Sequence, residues 1–180
     1  MVCVSQSAAG YQKRYVQENM KPKLYKHSSK TEDSEKIISC ICEFDCSPFF
    51  VSHLSEPQYE QKKIVDSFQT AICNKLRKSI PNITWQTEYS PSKGKRDSID
   101  IFGSNNDINI VIEIDKHRAD QVAKKFVSRS ALLNNKSIFY ISLCYPGTQN
   151  MNSTECVKYF GYCEILSEQM GNEYAGLIIE

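Results

Sequence analysis

SIDIFGSNNDINIVIEIDKHRADQVAKKFVSR, residues 98–129, decides the fold. It reads as strand, turn, strand and helix. In Ser98-Ile99-Asp100-Ile101-Phe102 the residues alternate, which predicts Ile99 and Ile101 on one side and Asp100 on the other. The alternation returns from Ile110 to Asp115. Ile110, Ile112 and Ile114 then share one face, and Val111, Glu113 and Asp115 the other. Gly103-Ser104-Asn105-Asn106-Asp107, between the two runs, consists of residues suited to tight turns. Folded as a hairpin, the strands place Asp100, Glu113 and Asp115 on one face of a sheet. Carboxylates that close repel one another unless a cation lies between them. Oxygen-only ligands favour a hard ion such as magnesium or manganese.

Beyond Asp115 the period changes to that of a helix. Ala119, Val122, Ala123, Phe126, Val127, Ser130 and Leu133 form its apolar stripe. Its outer face is expected to carry Arg118, Gln121, Lys125, Ser128 and Arg129, with Lys124 near the edge. Asn134-Asn135 stops it, and Ser137–Cys144 reads as a mostly apolar, central strand. After the Pro146-Gly147 turn, a cap near Asn152 starts a last helix running to Gly171. Leu177-Ile178-Ile179 is a candidate short terminal strand.

Upstream, Ile83–Tyr89 is rich in β-branched and aromatic residues and reads as a strand. The loop after it holds Lys93, Lys95 and Arg96 just ahead of the Asp100 strand. It suits a phosphate backbone, and equally a solubilising turn. Ser55 with Gln58 three residues on, and Pro57 between them, marks a helix start. Ile64, Phe68, Ala71, Ile72 and Leu76 follow as its stripe, and Pro81 ends it. Glu60 lies one turn before Ile64. It either complements the exposed end of the helix dipole or faces a site. Ile37–Phe44 reads as a short strand or a buried helical turn, and Thr31–Lys36 as a solvated linker. Residues 1–36 are therefore expected to be an N-terminal arm or flexible segment, and 37–180 one domain with its core at about 55–144.

The 180 residues suffice for one domain with a real core. A net charge of +1 excludes a global positive field, so contact with nucleic acid would have to come from local patches. No apolar run approaches the roughly 18 residues of a membrane span. The first residues lack the pattern of a signal peptide. The expected compartment is cytoplasmic, where the eight cysteines stay reduced. Cys40, Cys42 and Cys46, with His53 beyond, invite a zinc-stabilised interaction module. Structural zinc sites need a second pair of ligands, which is missing, and buried thiols account for the same residues.

From residue 55 to 144 the order is helix, three strands, helix, strand, which predicts an α/β fold with a mixed central sheet flanked by helices. This order, with acids on the second and third strands, resembles the PD-(D/E)XK nuclease superfamily, the restriction endonuclease-like enzymes. Asp100 in Ser98-Ile99-Asp100 matches the family's first acid, and Glu113-Ile114-Asp115 its second half-motif. Glu60 stands where the first helix often adds a glutamate. The family's usual lysine two residues after the second acid is Asp115 here, so the resemblance leaves that duty to Lys116, to Lys124, or to no lysine at all. It implies an α-β-β-β-α-β core and a magnesium- or manganese-dependent endonuclease acting on DNA, such as a small restriction or repair enzyme, working as a homodimer to cut both strands. It implies Glu60, Asp100, Glu113 and Asp115 as metal ligands. Lys93, Lys95, Arg96, His117 and Arg118 would contact phosphates. The alternative is a nuclease-like fold that binds nucleic acid or protein without cutting, which the departure at Asp115 favours.

Overall fold

The computed structural model describes residues 19–91, 98–133, 136–148 and 151–180. Strand β1 (Pro22–His27) is followed by helix α1 (Glu32–Cys42), the short α2 (Ser47–Phe50) and one 3₁₀ turn, His53–Ser55. Then come α3 (Gln58–Ser79), β2 (Thr84–Tyr89), β3 (Ile99–Ser104), β4 (Ile108–Lys116) and α4 (Ala119–Leu132). The chain closes with β5 (Ser137–Tyr145), α5 (Ser153–Gln169) and β6 (Glu173–Ile179). The strands form one sheet in the order β1-β6-β5-β4-β3-β2. Crossovers through α4 and α5 make β4, β5 and β6 parallel, while β1, β2 and β3 join antiparallel. The protein is thus an α/β chain with a mixed sheet flanked by helices, and residues 58–145 follow the expected order of elements.

The two faces of the sheet carry separate cores. Ile101, Ile110, Ile112, Ile114, Phe139 and Leu143 pack beneath Ile41, Phe50, Phe68, Ile72 and Leu76 of α1, α2 and α3. Val111, Tyr140, Cys144, Tyr174 and Ile178 pack on the other face beneath Val122, Phe126, Cys156 and Phe160 of α4 and α5. Phe68, Ile72 and Leu76 are fully buried, each stabilising the fold by about 1.5–3 kcal/mol. Strand β5 is buried on both faces from Ile138 onward, as an apolar strand with parallel neighbours must be. Strand β6 is likewise buried along its length, and is longer than Leu177-Ile178-Ile179 alone suggested. No single helix among the described residues is long and apolar enough to cross a membrane.

Several local expectations change. Residues 22–36 do not hang outside the domain: β1 pairs with β6, and Leu24 packs against the core of the α3 face. Lys23 and Lys26 suit an edge strand, which is why this stretch reads as polar. Thr31-Glu32-Asp33-Ser34-Glu35 is not a linker. Thr31 Oγ1 accepts a hydrogen bond from Ser34 N (3.2 Å), capping α1. The acids after it sit at the positive end of the helix dipole. Ile37–Cys42 is therefore helical. Ser55 does not cap α3: its hydroxyl donates to Ser52 O (2.6 Å), and the helix begins after Pro57 without a side-chain cap. Asn152 does cap α5, its side chain accepting from Thr154 N (2.9 Å). Asn134-Asn135, expected to stop α4, lies outside the described residues.

At Gly176 a Cβ would overlap the ring of Phe160, which α5 lays over β6. Gly176→Ala should lower the unfolding free energy in urea by about 1–3 kcal/mol through overpacking. Unchanged stability would contradict this close approach of helix and strand.

Candidate active site

The acids meet because β3 leaves its regular course at one residue. Strands β3 and β4 pair from Ser104↔Asn109 to Ile101↔Ile112, and their pairing ends there. Beyond it, Asp100 Oδ2 accepts a hydrogen bond from Ile114 N (2.6 Å), so a side chain takes the place of a ladder bond. On the other side, β2 pairs with β3 at Thr87↔Ile101 and Tyr89↔Ile99 but not between Glu88 and Asp100. Glu88 has φ +53, the only positive value among the described residues other than glycine. Such an irregularity bends a strand and re-aims its side chains. Ile99 accordingly lies in the α4-side core rather than beside Ile101, contrary to strict alternation.

Gln69 of α3 holds the bend. Its Nε2 donates to Asp100 O (2.5 Å) and to Glu88 Oε1 (2.9 Å), while Ser98 Oγ donates to Glu88 Oε2 (2.7 Å). Gln69 is buried beside the core residues Phe68 and Ile72. It replaces bonds that the interrupted ladder leaves open.

Asp100, Glu113 and Asp115 all meet one ammonium. Lys125 Nζ lies 2.8 Å from Glu113 Oε2, 3.0 Å from Asp115 Oδ1 and 3.4 Å from Asp100 Oδ2. Arg129, one turn further along α4, donates from Nε to Glu113 Oε1 (2.9 Å). The cluster is layered. Glu113 is 2% exposed, whereas Asp100, Asp115 and Lys125 are 20%, 17% and 22% exposed, so its outer side opens to solvent. Glu113 Oε2 is buried without a hydrogen bond; its contact with Nζ is the ion pair.

Burial pushes Glu113 up to about 8, and the charge of Asp100 adds to this against the pull of Lys125 and Arg129. Asp115 is raised for the same first reason, with Lys125 opposing. For Lys125, burial favours loss of the proton, but Glu113, Asp100 and Asp115 together outweigh it and hold the ammonium above its ordinary value.

Neither expected lysine takes part. Strand β4 continues through Lys116, which therefore points to the opposite face, where its Nζ donates to Gln61 Oε1 of α3 (3.1 Å). Lys124 is exposed on α4, and its neighbour Lys125 holds the acids instead. Glu60 is not in the cluster either: it pairs with Lys63 (2.9 Å) at the start of α3, the dipole reading of the two. His117 is half-buried, and burial lowers its pKa. Arg118 pairs with Asp120 (3.2 Å), and its charge reaches Asp115. These two residues line a cleft of about 380 Å³ between the starts of α4 and α5. Lys93, Lys95 and Arg96 lie outside the described residues. The zinc reading fails. His53 has both ring nitrogens against the carbonyls of Phe50 (3.0 Å) and Pro146 (2.9 Å), and burial pushes the Cys46 thiol up to about 12.

Lys125, Arg129 and Gln69 escaped the sequence reading. The expected outer face of their helix includes both cations. Yet at about 100° per residue Arg129 falls next to Val122, at the edge of the apolar stripe, and Lys125 about 40° further out. Two bases one turn apart at the edge of a core face, opposite a strand with two acids, was the available signal.

No group of three or more His, Cys, Asp or Glu side chains among the described residues is already spaced to hold a metal ion. The donor chemistry nevertheless suits one. Three carboxylates surround a cation, and the buried Glu113 Oε2 has that cation as its close partner. The carboxylate oxygens stand 2.8–3.4 Å from the ammonium, wider than the roughly 2.0–2.6 Å of metal–oxygen bonds. No known protein family, no curated protein and no solved structure matches the chain.

Arg129→Met would leave Glu113 buried without its nearest guanidinium. It should cost about 3–5 kcal/mol in chemical denaturation, with partial recovery in the Glu113→Leu/Arg129→Met double variant. A single variant as stable as the parent would refute the pairing. The folded chain also keeps the Glu113 proton over a range where the unfolded chain has released it. Stability should therefore fall as pH rises from 4.5 towards about 8. Glu113→Gln should flatten that fall, and an unchanged slope would contradict the assignment.

Proposed function

We propose that the protein is a divalent-metal-dependent endonuclease that hydrolyses DNA phosphodiester bonds. The observation that carries this reading is the meeting of Asp100, Glu113 and Asp115 on one cation, on the adjacent inner strands β3 and β4. It is supported by the resemblance of the α3-β2-β3-β4-α4-β5 order to the restriction endonuclease-like core, with Asp100 and Glu113 on the two strands where that family carries its acids.

Asp100 and Glu113, with Asp115, would hold magnesium or manganese. Such an ion would make hydroxide available near neutral pH and offset the charge that builds on the phosphate. The chain's own groups supply the rest. Ile114 N fixes the Asp100 carboxylate, and Arg129 fixes that of Glu113. Gln69 maintains the bend that turns Asp100 toward the cluster. Lys125 takes the role of the family's lysine from the following helix, its ammonium stabilising the attacking oxygen or the phosphate. Arg118 and His117, beside the cleft at the start of α4, and the loop holding Lys93, Lys95 and Arg96 would contact phosphates on either side of the scissile bond. A homodimer would bring two sites to opposite strands. A role as a small cytoplasmic restriction or repair enzyme belongs to the same proposal.

One observation favours a second reading, a nucleic-acid- or protein-binding module that does not cut. Lys125 and Arg129 already neutralise much of the acidic charge, so the fold stands without an ion. Plasmid cleavage in magnesium or manganese, with and without EDTA, separates the two. The nuclease reading expects metal-dependent nicking that falls by about a hundredfold or more in Asp100→Asn and Glu113→Gln. Cleavage that survives both substitutions contradicts it. DNA binding indifferent to metal and to Asp100, without cleavage, favours the second.

A further inference from the structure

The Lys125 ammonium occupies the point on which the carboxylates of Asp100, Glu113 and Asp115 converge. A divalent ion ligated by these groups needs the same place. With all three carboxyl groups ionised, Arg129 alone leaves two negative charges, which a divalent ion cancels. With Lys125 also in place only one remains, and the ion would bring the cluster to net positive charge in a largely buried setting, where uncompensated charge is costly.

The two cations are not equally able to leave. Arg129 is 9% exposed at its side chain, and its planar guanidinium is directed at Glu113 Oε1. Lys125 is 22% exposed, stands on the solvent side of Glu113 and carries its charge on a flexible four-carbon stem. Its exit leaves Glu113 Oε2, a buried oxygen 2.8 Å from Nζ, without that partner.

We propose that Lys125 is a resident counter-cation of this site, and that a divalent ion binds by displacing its ammonium from the three carboxylates. The inference rests on the metal reading given above. It adds that the affinity for the ion is set by how readily Lys125 leaves. The apparent affinity of the parent chain is then lowered by the fraction of molecules in which the carboxylates are still covered. The displaced ammonium, still tethered to α4 beside the site, becomes available to an anionic substrate, so the two cations would be used in succession.

Manganese titration of the full chain by calorimetry, without nucleic acid, tests this independently of activity. Lys125→Met removes the competing charge at similar length and should bind manganese at least about tenfold more tightly than the parent, a difference readily resolved in dissociation constants. Lys125→Arg keeps the charge on a fork that holds carboxylates in pairs, and should bind manganese more weakly than the parent. Equal or weaker binding by Lys125→Met overturns the inference while leaving the metal reading intact. If Lys125→Met does not fold, Lys125→Arg decides, and binding as tight as the parent's or tighter overturns it. Absence of manganese binding in the parent and both variants overturns the inference and the metal reading together.

Discussion

Three carboxyl groups cannot share one corner of a sheet without positive charge among them, and here a lysine on the next helix supplies it. Lys125 joins β3, β4 and α4 through Asp100, Glu113 and Asp115. Arg129 adds a second, deeper contact to Glu113. Bringing these groups together costs desolvation, and only close opposite charges return it. The arrangement therefore says more about use than about stability: an apolar corner would hold the same elements at lower electrostatic cost.

The backbone shapes the corner as much as the charges do. The ladder between β3 and β4 stops at Ile101↔Ile112, and that between β2 and β3 is interrupted at Glu88 and Asp100. Asp100 bonds to Ile114 N with its side chain, and Gln69 reaches from α3 to satisfy Asp100 O. Both faces of the sheet thus contribute to one site. Helix α3 secures the bend from one side, and α4 brings the charge from the other. Strain at Glu88, a residue held at positive φ, is stored where the acidic side chains are aimed.

Much of this was legible in residues 98–129. The two alternating runs gave the hairpin, and the shared side of Glu113 and Asp115 followed from strand period. That β4 runs on through Lys116 decides the side of that lysine by the same rule. What escaped depends on tertiary contact. Charge alone assigns Lys125 and Arg129 to an outer face, because a basic residue at the edge of an apolar stripe makes sense only once the facing acids are known. The bend at Asp100 breaks the alternation through Gln69, some thirty positions away in sequence, a partner no local pattern reveals. Strand β1 and the start of α1 read as a polar arm because an edge strand and an acidic helix start are both rich in charge. The basic loop at Lys93, Lys95 and Arg96 lies outside the described residues, and its part in phosphate contact rests on sequence alone.

The most direct measurement is anomalous diffraction from crystals soaked in manganese. The account predicts one peak bonded to carboxylate oxygens of Asp100 and Glu113, with the Lys125 ammonium withdrawn from the position it holds between them. Crystals that take up no manganese there, with Lys125 Nζ still touching all three acids, would contradict it.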